Sequence, residues 1–86
     1  MIDTSEEELM RVKSQLVQLS DTYKKTRLQM KESLNSVGNE WKDDNYQSFL
    51  RDVDPILNRL NTNIARLDDQ IDRLEKWIRK LQGMVY

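Results

Sequence analysis

The residues that come closest to a chemical site are three carboxylates in the second half of the chain, Asp68, Asp69 and Asp72. Residues three or four apart on a helix share a face, and carboxylate oxygens are suitable ligands for a hard divalent cation. A helix face lacks the loop that wraps such an ion, however, and Arg66 and Arg73 lie close by in the sequence. We therefore interpret the group as part of a solvated, charged helix face and predict no metal site.

The composition offers no other starting point for catalysis. The 86 residues include no histidine and no cysteine, so the commonest general base and the thiolate nucleophile are both missing. The serines have no histidine to activate them, and a serine–lysine arrangement needs a pocket that a thin helical protein does not offer. We predict a protein that is not an enzyme and that has no cofactor and no small-molecule substrate.

Composition and charge also limit the class of protein. Charged residues make up 34% of the chain and apolar residues 37%, with only two glycines and one proline. This balance favours long helices over strands or disorder. The net charge is -1, and no basic stripe stands out in the linear sequence, so we expect no nucleic-acid partner.

The sequence also lacks the marks of membrane targeting. The first residues form neither a basic n-region nor an apolar h-region, which are the parts of a cleaved signal peptide. No apolar run approaches the roughly 20 residues of a membrane span. The polar side of the second half mixes charges and is rich in aspartate, whereas binding to an anionic membrane surface favours a basic face. We expect no membrane partner.

The first helix is predicted over about residues 4–37. Its apolar positions recur at steps of mostly three and four residues, the spacing of a coiled-coil seam. The predicted interface or core positions are Leu9, Val12, Leu16, Leu19, Tyr23 and Met30. Gly38 is the predicted stop, because glycine adopts the left-handed conformation at no steric cost. A turn over about residues 38–43 follows.

The second helix is predicted over about residues 44–82, with Asp43 or Asp44 as its cap. Its predicted interface or core positions are Tyr46, Phe49, Val53, Ile56, Leu60, Ile64, Leu67, Ile71, Leu74 and Ile78. Two consecutive steps of four, from Ile56 through Leu60 to Ile64, predict a stutter, which is a local change of phase in the seam.

Pro55 lies just before that stutter and leaves two structures open. In the first, the helix continues through the proline with a kink, after losing one backbone hydrogen bond. In the second, a short helix ends near Asp52 and a new one begins with Asp54 as its cap and Pro55 at its first position. The sequence favours the continuous helix.

These elements predict a single all-α domain over residues 1–86, an antiparallel two-helix hairpin. A hairpin has one seam and leaves an apolar face without a partner, so we expect dimerisation into a four-helix bundle. The partner is either a second copy, in a homodimer, or a different helical-hairpin protein, in a heterodimer.

Aromatic residues concentrate at the predicted turn, where Trp41 precedes Tyr46 and Phe49. They could hold the turn end of the hairpin together, or present an aromatic patch to a second molecule, and both roles stay open. Trp77 lies beside Ile78 on a charged part of the second helix. It is a candidate partner contact, since an exposed indole is a common anchor in interfaces.

Two helical arms of nearly equal length around Trp41 resemble the WXG100 (ESAT-6-like) family over nearly the whole chain. Trp41 matches the tryptophan of the family's Trp-any-Gly motif, and Asp43 stands at the position of its glycine, with Gly38 as a nearby source of flexibility. The resemblance implies a helical hairpin that pairs into a four-helix bundle. It also implies export by a bacterial type VII secretion system, without a cleaved signal peptide.

Many members of the family carry an export signal, Tyr-any-any-any-Asp/Glu, after the second helix. No such pattern follows it in this sequence, so we expect either that a partner supplies the signal or that this route is not used. The leading hypothesis is a secreted WXG100-like substrate or partner of a type VII system. The alternative is an intracellular coiled-coil adaptor or chaperone-like module in the cytoplasm, which binds a larger protein through the same stripe.

Overall fold

The computed structural model describes residues 4–41 and 43–85, and the side chains of residues 5–41 and 43–83. Two helices account for nearly all of these residues: α1 spans Thr4–Glu40 and α2 spans Asn45–Val85. No strand occurs among them. The molecule is a rod of 65 × 16 × 13 Å in which α1 packs along α2. The predicted all-α helical hairpin is confirmed, with both helices extending about three residues beyond their predicted C-terminal ends.

Three polar contacts fix the antiparallel alignment of the helices. Lys13 pairs with Glu75 at 3.0 Å, the Ser20 hydroxyl donates to Asp68 at 2.7 Å, and Arg27 donates to Asn61 at 2.9 Å. Each step of seven residues forward along α1 is a step of seven residues backward along α2. Because a seven-residue step returns to the same side of a supercoiled helix, the three contacts lie in one row along the hairpin.

The seam between the helices follows a regular alternation of three and four residues. On α1 its less exposed positions are Glu6, Leu9, Lys13, Leu16, Ser20, Tyr23, Arg27, Met30 and Leu34; on α2 they include Tyr46, Val53, Leu57, Leu60, Ile64, Leu67, Ile71, Leu74, Ile78 and Leu81. Only Ile64 and Ile78 among the described apolar side chains are buried. The hairpin alone therefore shields its seam only in part.

Val12 and Leu19 lie outside this seam, contrary to their predicted positions. They are 42% and 40% exposed, whereas the neighbouring Lys13 and Ser20 face α2. The physical reason is that α2 offers hydrogen-bonding partners to those polar neighbours. The centre of the contact on α1 is consequently rotated away from the centre of its apolar stripe.

The predicted stutter in α2 is also absent. Leu57 occupies the seam and Ile56 is 56% exposed, so the contact positions run from Val53 through Leu57 and Leu60 to Ile64. This order keeps the steps of four, three and four that a continuous seam requires. Because Ile56 and Leu57 are adjacent and both apolar, the sequence is compatible with two registers of α2. Packing against α1 selects the regular one.

Pro55 lies inside α2, which continues through it without interruption. The proline is on the exposed side of the helix, as is Arg51, whose carbonyl loses its usual helical partner. Water can bond that carbonyl, which makes a proline tolerable on the outer side of a long helix. The alternative of two helices with a cap at Asp54 is thereby excluded.

The prediction that α1 ends at Gly38 is wrong. The helix continues to Glu40, and no glycine in the described residues has a positive φ. The close approach of Tyr46 explains the glycine instead, because a Cβ built on Gly38 would lie 2.5 Å from the Tyr46 hydroxyl oxygen and 3.0 Å from the ring carbon that carries it. Lys42, within the predicted turn, is outside the described residues.

Candidate interaction surface

One long side of the hairpin carries no charge over most of its length. It is formed by two columns of residues spaced seven apart, which we call the neutral face: Val12, Leu19, Thr26 and Ser33 of α1, and Phe49, Ile56, Asn63, Gln70 and Trp77 of α2. Four of these nine are large apolar side chains with exposures of 40–58%: Val12, Leu19, Ile56 and Trp77. Glu40 is the next position on α1 toward the turn, so the uncharged stretch ends there.

Two grooves along the seam show that both columns lie on the same side of the hairpin. Leu19 of α1 and Asn63 and Gln70 of α2 border the first, an open groove of about 230 Å³. Thr26 and Ser33 of α1 border the second together with Phe49 of α2; it measures about 330 Å³. The floors of the grooves are seam residues, so a side chain that entered them would contact the core directly.

A row of basic side chains follows the outer edge of the neutral face on α2. Its members are Arg59, Arg66, Arg73 and Lys80, again at seven-residue spacing. Arg66 lines the smaller groove, and Lys80 lies over the Trp77 ring, 5.1 Å from its centroid. We call these four residues the basic row. Sequence reasoning missed it because the same stretch contains aspartates, so that no basic run stands out in the linear sequence.

The opposite side of the hairpin is charged and internally paired. Lys24 joins Asp68 at 3.2 Å, next to the Ser20–Asp68 hydrogen bond, and Lys13 joins Glu75. Exposed apolar residues occur here too, at Met10 and Val17, but these ion pairs lie among them. This side is therefore less suited than the neutral face to a dry contact.

Of the three aspartates Asp68, Asp69 and Asp72, the first two form ion pairs. Asp68 bonds Ser20 and Lys24, and Asp69 pairs with Arg73 at 3.0 Å. Among the described residues, no group of three or more acidic or other metal-binding side chains is arranged to hold an ion. Neither helix, over the described residues, has both the length and the apolarity needed to cross a membrane.

The carboxyl groups of Asp68 and Glu75 have lowered pKa values. The Ser20 hydroxyl, followed by Lys24, holds the pKa of Asp68 below its usual value of 3.8. Lys13, by a hydrogen bond and by its charge, holds the pKa of Glu75 below 4.5. Since both groups bind protons more weakly in the folded chain, their contribution to stability is present above those usual values and is lost as the pH falls through the lowered ones.

We therefore expect acid to weaken the hairpin through Asp68 and Glu75. Between about pH 7 and about pH 2.5, the melting temperature from circular dichroism should fall further in the wild-type protein than in the double variant Asp68→Asn, Glu75→Gln. The asparagine and glutamine of the variant have nearly the same shapes as aspartate and glutamate, but they do not titrate. An equal fall in both proteins would contradict the assignment, because the remaining carboxylates are common to the two.

The turn end of the hairpin is closed by aromatic contacts within the chain. The Trp41 ring lies 5.8 Å from that of Tyr46 and 5.5 Å from that of Phe49, between ring centroids. The Asp43 carboxylate accepts hydrogen bonds from the Trp41 indole N–H at 2.7 Å and from the backbone N–H of Asn45 at 2.9 Å, so it caps α2 while it orients the tryptophan. The aromatic cluster is therefore structural, and Phe49 also borders the neutral face.

Trp77, the other tryptophan, is 58% exposed near the open end of the hairpin. The neutral face thus runs from the aromatic cluster at the turn to an exposed indole near the open end.

Comparison with family models, with curated proteins and with solved structures gives no match for this chain. The arguments about its function accordingly rest on the geometry of the hairpin and on the layout of its sequence.

Proposed function

We propose that this protein is a non-enzymatic protein–protein interaction module in which a second helical hairpin packs on the neutral face to complete a four-helix bundle. The observation that carries the proposal is the neutral face itself, with Val12, Leu19, Ile56 and Trp77 exposed and no charged residue in its two columns. Uncharged surfaces rich in large apolar and aromatic side chains, with charges confined to the edge, are typical of the cores of interfaces.

The limited core of the single hairpin supports the same proposal. Ile64 and Ile78 are the only buried apolar side chains among those described. A chain of this size with one seam gains little stability from burial, and association is a common remedy. A partner on the neutral face would cover both grooves and shield the seam residues that form their floors.

Within this class, we propose a WXG100-like substrate or partner of a type VII secretion system. Support comes from two helices of 37 and 41 residues on either side of a short turn, and from a turn tryptophan whose indole is fixed by Asp43. Asp43 here supplies a cap where the family's glycine supplies a flexible backbone. Export would then proceed without a cleaved signal peptide.

The test of the interaction is the solution mass of the protein, measured by light scattering on a sizing column, alone and with candidate hairpin proteins from neighbouring genes. We expect a complex in one of these settings, and we expect Leu19→Glu to dissociate it. Leu28→Glu is the matched control, because Leu28 is 57% exposed and lies outside the neutral face. Equal effects of the two substitutions, with helicity unchanged, would contradict a docking role for this face.

Secretion needs a separate measurement. The protein should appear in the culture medium of its bacterial host when the type VII system is active, and should be absent from the medium when that system is deleted. Retention in the cells under both conditions would reject the secretion proposal and favour the cytoplasmic adaptor or chaperone-like module. The mass measurement would be unaffected by that result.

A further inference from the structure

We infer that the partner on the neutral face is an amphipathic helical protein whose flanking positions are acidic, and that it is not a second copy of this chain. This inference rests on the proposed function, since it names the chemistry of the partner for the same face. It is carried by the basic row, Arg59, Arg66, Arg73 and Lys80, along one edge of that face.

The basic row runs parallel to the groove it borders. At about 1.5 Å of rise per residue, residues 59–80 cover roughly 30 Å of α2, which is about half of the helix. A helix lying in the grooves would run alongside the row, and Arg66 already lines one of the grooves. Acidic side chains at seven-residue spacing on the partner would then meet the four basic groups in succession.

The hairpin itself provides few acids for this row. Arg73 pairs with Asp69, and Lys80 lies over the Trp77 ring. Arg59 has only uncharged residues three and four positions away on its own helix, namely Pro55, Ile56, Thr62 and Asn63. Among the described residues, no ion pair is found for either Arg59 or Arg66. The row is consequently available to a partner's carboxylates.

A second copy of the chain supplies at most one carboxylate for these four basic groups. When two neutral faces meet, the basic row lies opposite either itself or the corresponding edge of α1. That edge consists of Glu8, Gln15, Thr22, Gln29 and Ser36. The first arrangement opposes mostly like charges, because Asp52 is the one acid on that edge of α2. The second offers one acid, Glu8, which already pairs with Arg11 at 2.6 Å. Like-charge contacts of this kind select against a wrong partner.

The row also gives the interaction a direction. Seven residues before Arg59, on the same edge and toward the turn, the position is occupied by Asp52. An acidic row on the partner is therefore favoured opposite residues 59–80 and disfavoured at the turn end. This difference selects one of the two orientations in which a partner helix could lie in the grooves.

The experiment compares two designed helical-hairpin probes with identical Leu and Ile seams, one with Glu and the other with Lys at the positions that flank the seam. Binding of each to the 86-residue chain is measured by titration calorimetry at low and at high salt. We expect the Glu probe to bind about ten-fold more tightly than the Lys probe at low salt, and this preference to shrink as salt screens the charges.

Charge reversal in the row should invert that preference. In the double variant Arg59→Glu, Arg66→Glu, the Lys probe should become the tighter ligand, with helicity checked by circular dichroism. Arg51→Glu is the matched control, because Arg51 is an exposed arginine of α2 outside the row. It should leave the preference for the Glu probe unchanged.

Several outcomes would overturn the inference. Equal binding of both probes would leave the neutral face as a docking surface, so the proposed function would stand while the acidic partner would be rejected. A stable homodimer that persists in the double variant Arg59→Glu, Arg66→Glu would likewise reject the acidic partner and leave the neutral face as a docking surface. Binding to vesicles with a high phosphatidylserine content, in the absence of binding to either probe, would reject both the acidic partner and the hairpin partner.

Discussion

Replacing Ile64 by alanine should lower the free energy of unfolding by about 2–4 kcal/mol, the range typical of a buried isoleucine that loses three carbon atoms. Ile64 is 5% exposed and lies in the middle of the seam. The polar contacts of Ser20 with Asp68 and of Arg27 with Asn61 oppose a shift of the helices that would close the space. The measurement is urea unfolding followed by circular dichroism at a fixed protein concentration.

The matched substitution is Ile56→Ala, which removes the same atoms from a side chain that is 56% exposed. Measured on dilute, monomeric protein, it should change the free energy of unfolding by less than about 0.5 kcal/mol, because surface changes are usually within that limit. The pair distinguishes the two registers of α2. Comparable losses of unfolding free energy from both substitutions would favour the seam with the stutter, in which Ile56 and Ile64 both face α1.

Replacing Gly38 by alanine should lower the free energy of unfolding by about 1–3 kcal/mol, the usual range for overpacking. This is opposite to the general expectation for a glycine inside a helix, where alanine is favoured by about 0.5–1 kcal/mol. The added methyl group would overlap the Tyr46 phenol, which bonds the Leu34 carbonyl at 3.4 Å and packs on Trp41. Relief would require the aromatic cluster to move.

Gly83→Ala is the control, because a Cβ at Gly83 meets nothing within 4 Å and this glycine also lies inside a helix. Its substitution should be neutral or slightly stabilising, by up to about 0.5–1 kcal/mol. Adding Tyr46→Ala should then remove most of the penalty of Gly38→Ala, as measured by a double-mutant cycle. A stabilising effect of Gly38→Ala in the wild-type background would show that Tyr46 does not occupy this site.

Local properties of the sequence determined the fold class. Steps of three and four between apolar residues, a near absence of glycine and proline, and one interruption near Trp41 are sufficient for two helices and a hairpin. These signals are local because helical hydrogen bonds join residues four apart. The aromatic cluster was also visible, since Trp41, Tyr46 and Phe49 are close in the sequence. The WXG100 resemblance and the dimer remain predictions.

The interaction surface could be predicted only in part. Trp77 was singled out as a candidate contact and is exposed, but Val12, Leu19 and Ile56 were placed in the seam. The basic row was not recognised, because residues 59–80 also contain Asp68, Asp69 and Asp72 and no basic run stands out in the linear sequence. The predicted seam was already sufficient to find it, since Arg59, Arg66 and Arg73 each precede a predicted seam leucine, at Leu60, Leu67 and Leu74, by one position.

The sequence by itself determined that two amphipathic helices form, and the tertiary structure decided which side of each helix faces the other. Adjacent residues on a helix point about 100° apart, so a choice between Val12 and Lys13 rotates the contact along α1, and a choice between Ile56 and Leu57 changes it locally on α2. On α1 the pairing of Lys13 with Glu75 and of Ser20 with Asp68 makes that choice. The partners in these contacts are 62 and 48 residues apart along the chain, so their interaction exists only once the hairpin has closed. The neutral face is what that rotation leaves exposed.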